Sequence, residues 1–338
     1  MNRKIRTDQR QQRVKTHRKL WATIIFVLVF IIGGGLFWGV RTWQAARNAM
    51  QTSYQSAGNV KLRNVNTVLK KKQPFSVLLL GTDTGALGRS GQNFTARTDT
   101  IIVATVNPKK QRVTLTSIPR DTQVVINGQN EKINAAYTLG GAGGAIKSVQ
   151  KLLNIPIDFY SLINMGGLKQ MVNALGGVML TPKMTFKYGH ANVKKGVEVT
   201  LNGAEALDYA RMRYDDPLGD YGRQKRQRQV IMAMTNQMGS LGSILNVEKI
   251  VKQMAHNMRT DLTFDDMVTL YLKYKNTSHH IKTDTLKGTD ATIDNLSYQL
   301  AEPKERYRVS KKLRQTLGLS TNNLTVDRFT TPATMTTK

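Results

Sequence analysis

Apolar positions along this chain fall into runs of two kinds. The first is continuous: residues 20–40 (LWATIIFVLVFIIGGGLFWGV) form 21 residues without a charge, the length a helix needs to cross a hydrocarbon layer. The others are short and bounded by turn residues. FSVLLL over 75–80 ends in Gly81 and reads as a buried strand with a loop at its end. TIIVATV over 100–106 and RVTLTS over 112–117 are two further strands, with Asn107-Pro108-Lys109-Lys110 between them as a hairpin turn. Helical patterning covers 135–153 despite its GGAGG interruption, followed by a strand over 157–163, a helix over 166–175 and a strand over 177–180. Further helices are predicted over 202–209, 222–238 and 264–274, the last capped by Thr263 with Asp265 and Asp266 in its first turn. Strands alternating with helices predict an α/β (α-β-α layered) domain around a central mixed sheet.

Charge turns the apolar span into a topology. Eight basic residues precede it, opposed only by Asp8, and such a flank places that end in the cytoplasm. Trp21, Trp38 and Trp43 sit where interfacial aromatics belong. A cleaved signal peptide would have an apolar core of about 7–15 residues, shorter than this one. The expectation is a cytoplasmic tail (1–19), a single transmembrane helix (20–40), a polar helical stalk (41–73), an extracellular domain (74–319) and a disordered Thr-, Asn- and Pro-rich tail (320–338). That places the protein in the cell membrane, single-pass, with its bulk outside. Residues 1–40 carry +7 of the +28 net charge, leaving +21 outside, a balance that favours polyanionic partners. There is no cysteine, which excludes disulfides, thiolate zinc and thiol catalysis.

Four polar clusters lie at strand ends or helix starts: Gly81-Thr82-Asp83, Arg97-Thr98-Asp99, Pro119-Arg120-Asp121, and Arg211-Met212-Arg213 followed by Gly219-Asp220-Tyr221-Gly222-Arg223 with Arg226 and Gln227. Singly, each Arg and Asp pair reads as a surface ion pair worth about 0–1 kcal/mol. An extended segment would point Arg211 and Arg213 to one side, an arrangement of like charges that a bound polyanion explains and folding does not. Asp220 suits an N-cap, which puts Arg223 and Gln227 on one helical face; Arg226 points more to the side. Guanidinium groups pair with phosphate oxygens, and carboxylates among them suit Mg²⁺, which takes one or two carboxylates plus phosphate oxygens and water. Asp83 and Asp99 are the candidate metal ligands. The histidines lack metal spacing, and GGAGG lacks the Lys-Ser/Thr of a phosphate loop.

The strings LLLGTDT, RTDTIIVATVNP, VTLTSIPRDT, KINAAYTLGG, NALGGV, LNGAEALDYARMRY and GDYGRQKRQRQV resemble the successive signature blocks of the LytR-CpsA-Psr family, in its order. The likeness is strong over 74–237 and weaker to about residue 319. It implies an α/β domain with a long apolar pocket for a polyprenyl chain. It also implies transfer of teichoic acid, capsular polysaccharide or a related glycopolymer from a polyprenyl-pyrophosphate carrier to peptidoglycan. A phosphodiester forms and polyprenyl phosphate is released. By motif, the resemblance places pyrophosphate-binding arginines at Arg97, Arg120, Arg211, Arg213 and Arg223, Mg²⁺-linked aspartates at Asp83 and Asp99, and further polar positions at Asp220, Gln227 and Lys132. The general base is left open between Asp99 and Asp121. The stretch 85–95 departs from the pattern and leaves the separation of Asp83 and Asp99 open. Val230, Ile231, Met232, Met234 and Met238 follow the arginines and read as core or as a pocket wall.

Two other classes compete with this Mg²⁺-assisted phosphotransferase, whose side reaction would be hydrolysis of lipid pyrophosphates. A non-catalytic binder of lipid pyrophosphates or anionic wall polymer accounts for the basic exterior but not for aspartates among arginines. A membrane-tethered DNA-binding regulator lacks a helix-turn-helix pattern and lies on the wrong side of the membrane, so no nucleic-acid partner is expected.

Overall fold

The computed structural model describes residues 44, 47–48, 51–84, 97–238, 257–274, 277 and 280–329. The chain divides into two units, Met1–Asn48 and Ala49–Lys338, and the architecture below belongs to the second. No helix among the described residues is long and apolar enough to cross a membrane; the span expected over 20–40, and the stretch 85–95, lie outside them.

In chain order the elements are α1 (Val65–Lys70), β1 (Phe75–Thr82), β2 (Thr98–Asn107), β3 (Arg112–Ser117), β4 (Gln123–Ile126), β5 (Gln129–Lys132), α2 (Ala135–Leu153), β6 (Phe159–Asn164) and α3 (Met165–Ala174). They continue with β7 (Val178–Leu180), β8 (Phe186–Tyr188), β9 (Ala191–Val193), β10 (Val199–Leu201), α4 (Gly203–Arg211), α5 (Gly219–Met238), β11 (Met258–Thr260) and α6 (Phe264–Tyr274). The chain closes with β12 (His280–Thr285), β13 (Thr289–Ile293), β14 (Leu296–Leu300), α7 (Pro303–Leu317) and a 3₁₀ turn, Val326–Phe329.

Six strands form one mixed sheet in the order β11-β6-β1-β2-β3-β12. β1, β2 and β3 pair antiparallel with one another, β6 and β12 join β1 and β3 in parallel, and β11 pairs antiparallel with β6. Alternation along β1 sends Leu78 and Leu80 to one face and Val77 and Leu79 to the other. The first face packs on α2 and α7 through Ile146, Val149, Leu153, Val309 and Leu313. The second packs on α1 and α6 through Val68, Leu69 and Tyr274, and on α5 through Ile231 and Met232. The result is a three-layer α-β-α sandwich. A smaller cluster joins α3, α4, α5 and the short hairpins, with Val172, Tyr209, Val230 and Met234 at its centre. The apolar positions of α5 are thus shared between two cores; Val230 and Met234 are buried.

Local signals place the helices. Asn202 caps α4 through the backbone N–H groups of Ala204 and Glu205, and Glu205 returns a bond to the Asn202 N–H. Thr263 and Asp266 make a reciprocal cap at α6. The glycine-rich stretch in α2 bends the helix: Gly141 sits at φ 58°, ψ −156°, a combination only glycine takes without strain. Gly143 lies where a Cβ would meet the Ala57 carbonyl at 2.7 Å, so the segment serves close packing.

Two boundaries move outward from those expected. Much of the stretch read as stalk is docked: Ala57 is buried in the main core, Lys61 pairs with Asp261 at 2.9 Å, and Arg63 grips buried Asp158 through both carboxylate oxygens. Further along the same segment, Tyr54 bridges Thr260 on the edge strand β11 in parallel, with the Gln55 N–H donating to the Thr260 carbonyl. At the other end, residues 321–329 of the expected disordered tail pack back, because Phe329 is buried against Tyr307 and Arg306 of α7.

Candidate active site

The site lies where β1 ends, β2 begins and β3 ends. The β1–β2 ladder pairs Gly81 with Thr100 and Thr82 with Thr98, so a bulge sits at Asp99. Asp83, half-buried, follows directly on β1. The loop after β3 is fixed by its backbone: Asn134 N–H donates to Arg120 O, Ile133 N–H to Thr122 O, and Gln299 N–H to Asp121 O. These bonds bring Arg120 and Asp121 beside Asp99.

Arg120 stands between two carboxylates. Its Nη1 donates to Asp99 Oδ1 at 2.9 Å, and its Nε lies 3.5 Å from Asp121 Oδ2, close enough for attraction but without a hydrogen bond. Lys132 on β5 reaches the other Asp121 oxygen at 3.2 Å and lies over the Tyr298 ring. From α5, Arg223 Nη2 pairs with Asp220 Oδ1 at 2.5 Å and approaches the Asp99 carbonyl at 3.5 Å. Asp220 also accepts from Gln224 Nε2 at 2.7 Å.

The electrostatics follow from burial and neighbours. Burial opposes the Arg120 charge, but Asp99, Asp121 and Asp220 outweigh it and hold its pKa above the ordinary value. Arg223 goes the other way. Burial lowers its pKa; Asp220 and Asp99 counteract this, while Arg120 and Arg213 add to it as like charges. Arg223 Nε and Asn134 Oδ1 are buried without a hydrogen-bond partner. The cluster thus holds both unpaired donors and unpaired acceptors, since Arg120 Nε and Asp220 Oδ1 are likewise buried without a hydrogen bond.

The structure gathers Asp99, Arg120, Asp121, Lys132, Asp220 and Arg223, with Arg213 within electrostatic reach. Arg97 is exposed at the start of β2, Arg211 and Gln227 are half-buried, and none of these three makes a side-chain hydrogen bond or ion pair to a described residue. Arg211 and Arg213 do not share one extended segment as expected. Helix α4 runs on through Arg211, and the chain becomes extended only at buried Met212 (ψ 134°). Asp220 lies in the first turn of α5, where it holds Arg223.

Arg226 is turned away from the cluster. It is 4 % exposed, pairs with Asp216, donates to the carbonyls of Tyr209 and Met212, and lies over the Phe186 ring. Tyr221, whose sequence signals no role of its own, ties α5 to the β13–β14 hairpin. Its hydroxyl donates to Gln299 Oε1 at 3.0 Å and accepts from the Gly288 N–H at 2.9 Å. Its place in the GDYGR string, between Asp220 and Arg223, is the signal the sequence carries.

No group of three or more His, Asp or Glu able to hold a metal occurs among the described residues. Two carboxylates on neighbouring strand ends, Asp83 and Asp99, are nevertheless the donor set that suits Mg²⁺ when phosphate oxygens and water complete its shell.

The family model described as the LytR_cpsA_psr family matches residues 40–315. A protein of Enterococcus faecalis named polyisoprenyl-teichoic acid–peptidoglycan teichoic acid transferase TagU is 43% identical over 297 residues, covering 87% of this chain and 94% of the relative. The Bacillus subtilis protein of the same name is 36% identical over 312 residues, covering 92% and 99%. A crystal structure of a protein from Streptococcus agalactiae superposes with a TM-score of 0.69 at 38% identity, covering 76% of this chain and 92% of that one. With its signature blocks gathered around one arginine–aspartate cluster and a family match over most of its length, the chain belongs to the LytR-CpsA-Psr family.

Proposed function

We propose that this protein transfers an anionic glycopolymer, teichoic acid or a related polymer, from a polyprenyl-pyrophosphate carrier to peptidoglycan, working at the outer face of the cell membrane on a single amino-terminal anchor. The observation that carries the reading is the convergence of Arg120, Lys132 and Arg223 on the aspartates at the strand ends, with a further cation, Arg213, within electrostatic reach. A pyrophosphate brings the anionic oxygens with which guanidinium groups pair. The relatives' name, teichoic acid transferase, supports the same chemistry.

In the reaction an acceptor hydroxyl attacks the phosphorus on the sugar side of the pyrophosphate. A new P–O bond forms, the bond to the bridging oxygen breaks, and polyprenyl phosphate leaves with that electron pair. Catalysis at phosphorus is largely positioning and charge stabilisation. Arg120 and Arg223 hold the equatorial oxygens, Arg213 adds charge, and Arg97 and Arg211 complete the basic rim. Asp121, beside Lys132, or Asp99 would take the acceptor proton. Mg²⁺ held by Asp83 and Asp99 would neutralise charge that develops on the pyrophosphate. With water in place of the sugar hydroxyl the same site would act as a weak pyrophosphatase.

The test uses the full chain in nonionic detergent with a lipid-pyrophosphate-linked disaccharide, peptidoglycan oligomers and Mg²⁺. A phosphodiester-linked product and polyprenyl phosphate are expected, both lost in Arg120→Ala and Asp99→Ala. Tight lipid binding without transfer from any donor would instead make the protein a carrier-lipid binder.

A further inference from the structure

The far end of the sheet carries a second concentration of positive charge. β2 runs from the Asp99 bulge to Asn107, eight residue steps that span about 26 Å at roughly 3.3 Å each. At that end lies a hollow of about 640 Å³ whose walls include Lys71 at the end of α1 and Lys109 and Lys110 in the β2–β3 turn. A second hollow of about 210 Å³ adjoins it across the end of α7, with Arg314 and Arg328 in its wall. Consecutive residues join the two: Arg314 and Ser320 line the smaller, Gln315, Leu317, Gly318 and Leu319 the larger.

No acidic residue lines either hollow. Arg63, also in the larger wall, is already satisfied by Asp158. The other five cations have no ion pair among the described residues; Arg314 donates only to the carbonyls of Ser320 and Asn154. Five uncompensated cations drawn from α1, a hairpin turn, α7 and the final 3₁₀ turn meet along one concave track. Folding alone does not favour such convergence of like charge.

We propose that this track binds a linear, phosphate-bearing polymer, the distal stretch of the polyanion whose pyrophosphate end the arginine cluster takes. The identity of that polymer rests on the transferase reading above; binding of a polyanion to the track does not. A concave, two-chambered track suits a single chain with spaced charges, whereas a flat anionic membrane meets only its rims. Each lysine engaged releases counterions, so binding there is salt-dependent.

The chain has no cysteine, so Gln315→Cys carries a single trifluoromethyl tag into the larger hollow. With the full-length protein in nonionic detergent, inorganic polyphosphate is expected to shift the fluorine resonance. The triple variant Lys71→Ala/Lys109→Ala/Lys110→Ala should weaken that response by about tenfold or more and lower the log–log salt slope by about 2. Arg120→Ala should leave it unchanged, and the triple variant should still transfer a short disaccharide donor. An unaltered tag response in the triple variant overturns the proposal. So does a triple variant that loses anionic phosphatidylglycerol vesicles but keeps polyphosphate, since the face would then be a membrane contact. Polyphosphate binding through these lysines in a protein that transfers no donor upholds the track and removes the transferase reading.

Discussion

Replacing Arg226 by methionine separates a folding role from a substrate role at a position that lies within the fourth polar cluster of the sequence. The side chain is 4 % exposed and its partner Asp216 is buried with it. Two carbonyls, Tyr209 O and Met212 O, also depend on the guanidinium. Removing one member of a buried pair costs about 3–5 kcal/mol because the other charge stays behind unpaired, against a total stability of about 5–15 kcal/mol. With a urea slope of about 3 kcal/mol/M, a loss of about 4 kcal/mol lowers the unfolding midpoint by roughly 1.3 M. The assay is urea unfolding followed by far-ultraviolet circular dichroism. The double variant Arg226→Met/Asp216→Leu should recover a good part of the loss, since no charge is then orphaned. A midpoint within about 0.3 M of wild type, together with abolished transfer, would refute this reasoning and return Arg226 to the substrate.

Three other outcomes are expected. Gly141→Ala should destabilise the domain by about 1 kcal/mol or more, seen as a lower urea midpoint, because alanine resists φ 58° combined with ψ −156°. Burial would raise the Asp284 pKa, but hydrogen bonds from Arg308 and Lys312 outweigh it and hold it below the ordinary 3.8. Its contribution is therefore complete above pH 3.8 and lost as pH falls below that value, so Asp284→Asn should flatten the acid side of a stability–pH curve. Chelation of divalent cations should reduce transfer on the order of a hundredfold, reversed by added Mg²⁺, with no change in the unfolding midpoint.

The central strands were legible because both of their faces are covered. FSVLLL and TIIVATV meet helices on either side, so their apolar runs are unbroken. The edge strand β12, HIKTDT, has no buried residue, and its polar sequence carries no strand signal. The hairpins β4–β5 and β8–β9 are too short to establish a period. Helix α7 is highly charged, and its buried stripe of Val309, Leu313 and Leu317 emerges only when Pro303 and Gly318 are read as its ends. At the site, residue types were legible and partnerships were not. Arg223 and Arg226 stand three apart in one string, yet one meets Asp99 and Asp220 and the other Asp216. Which of them faces the cluster depends on the side of α5 that the sheet occupies, a property of tertiary packing. The pairing of Asp99 with Arg120 likewise depends on the β2–β3 register.

The strip of backbone around Tyr54 decides where the chain tolerates being cut. β11 is only three residues long and forms one margin of the six-stranded sheet. Tyr54 and Gln55 occupy its outer side by bridging Thr260. A chain trimmed to begin near Lys61 would lose that cover and leave open backbone donors and acceptors, the template on which separate copies stack edge to edge. A chain trimmed before Gln51 keeps its own guard strand, and should remain monodisperse where the shorter one self-associates.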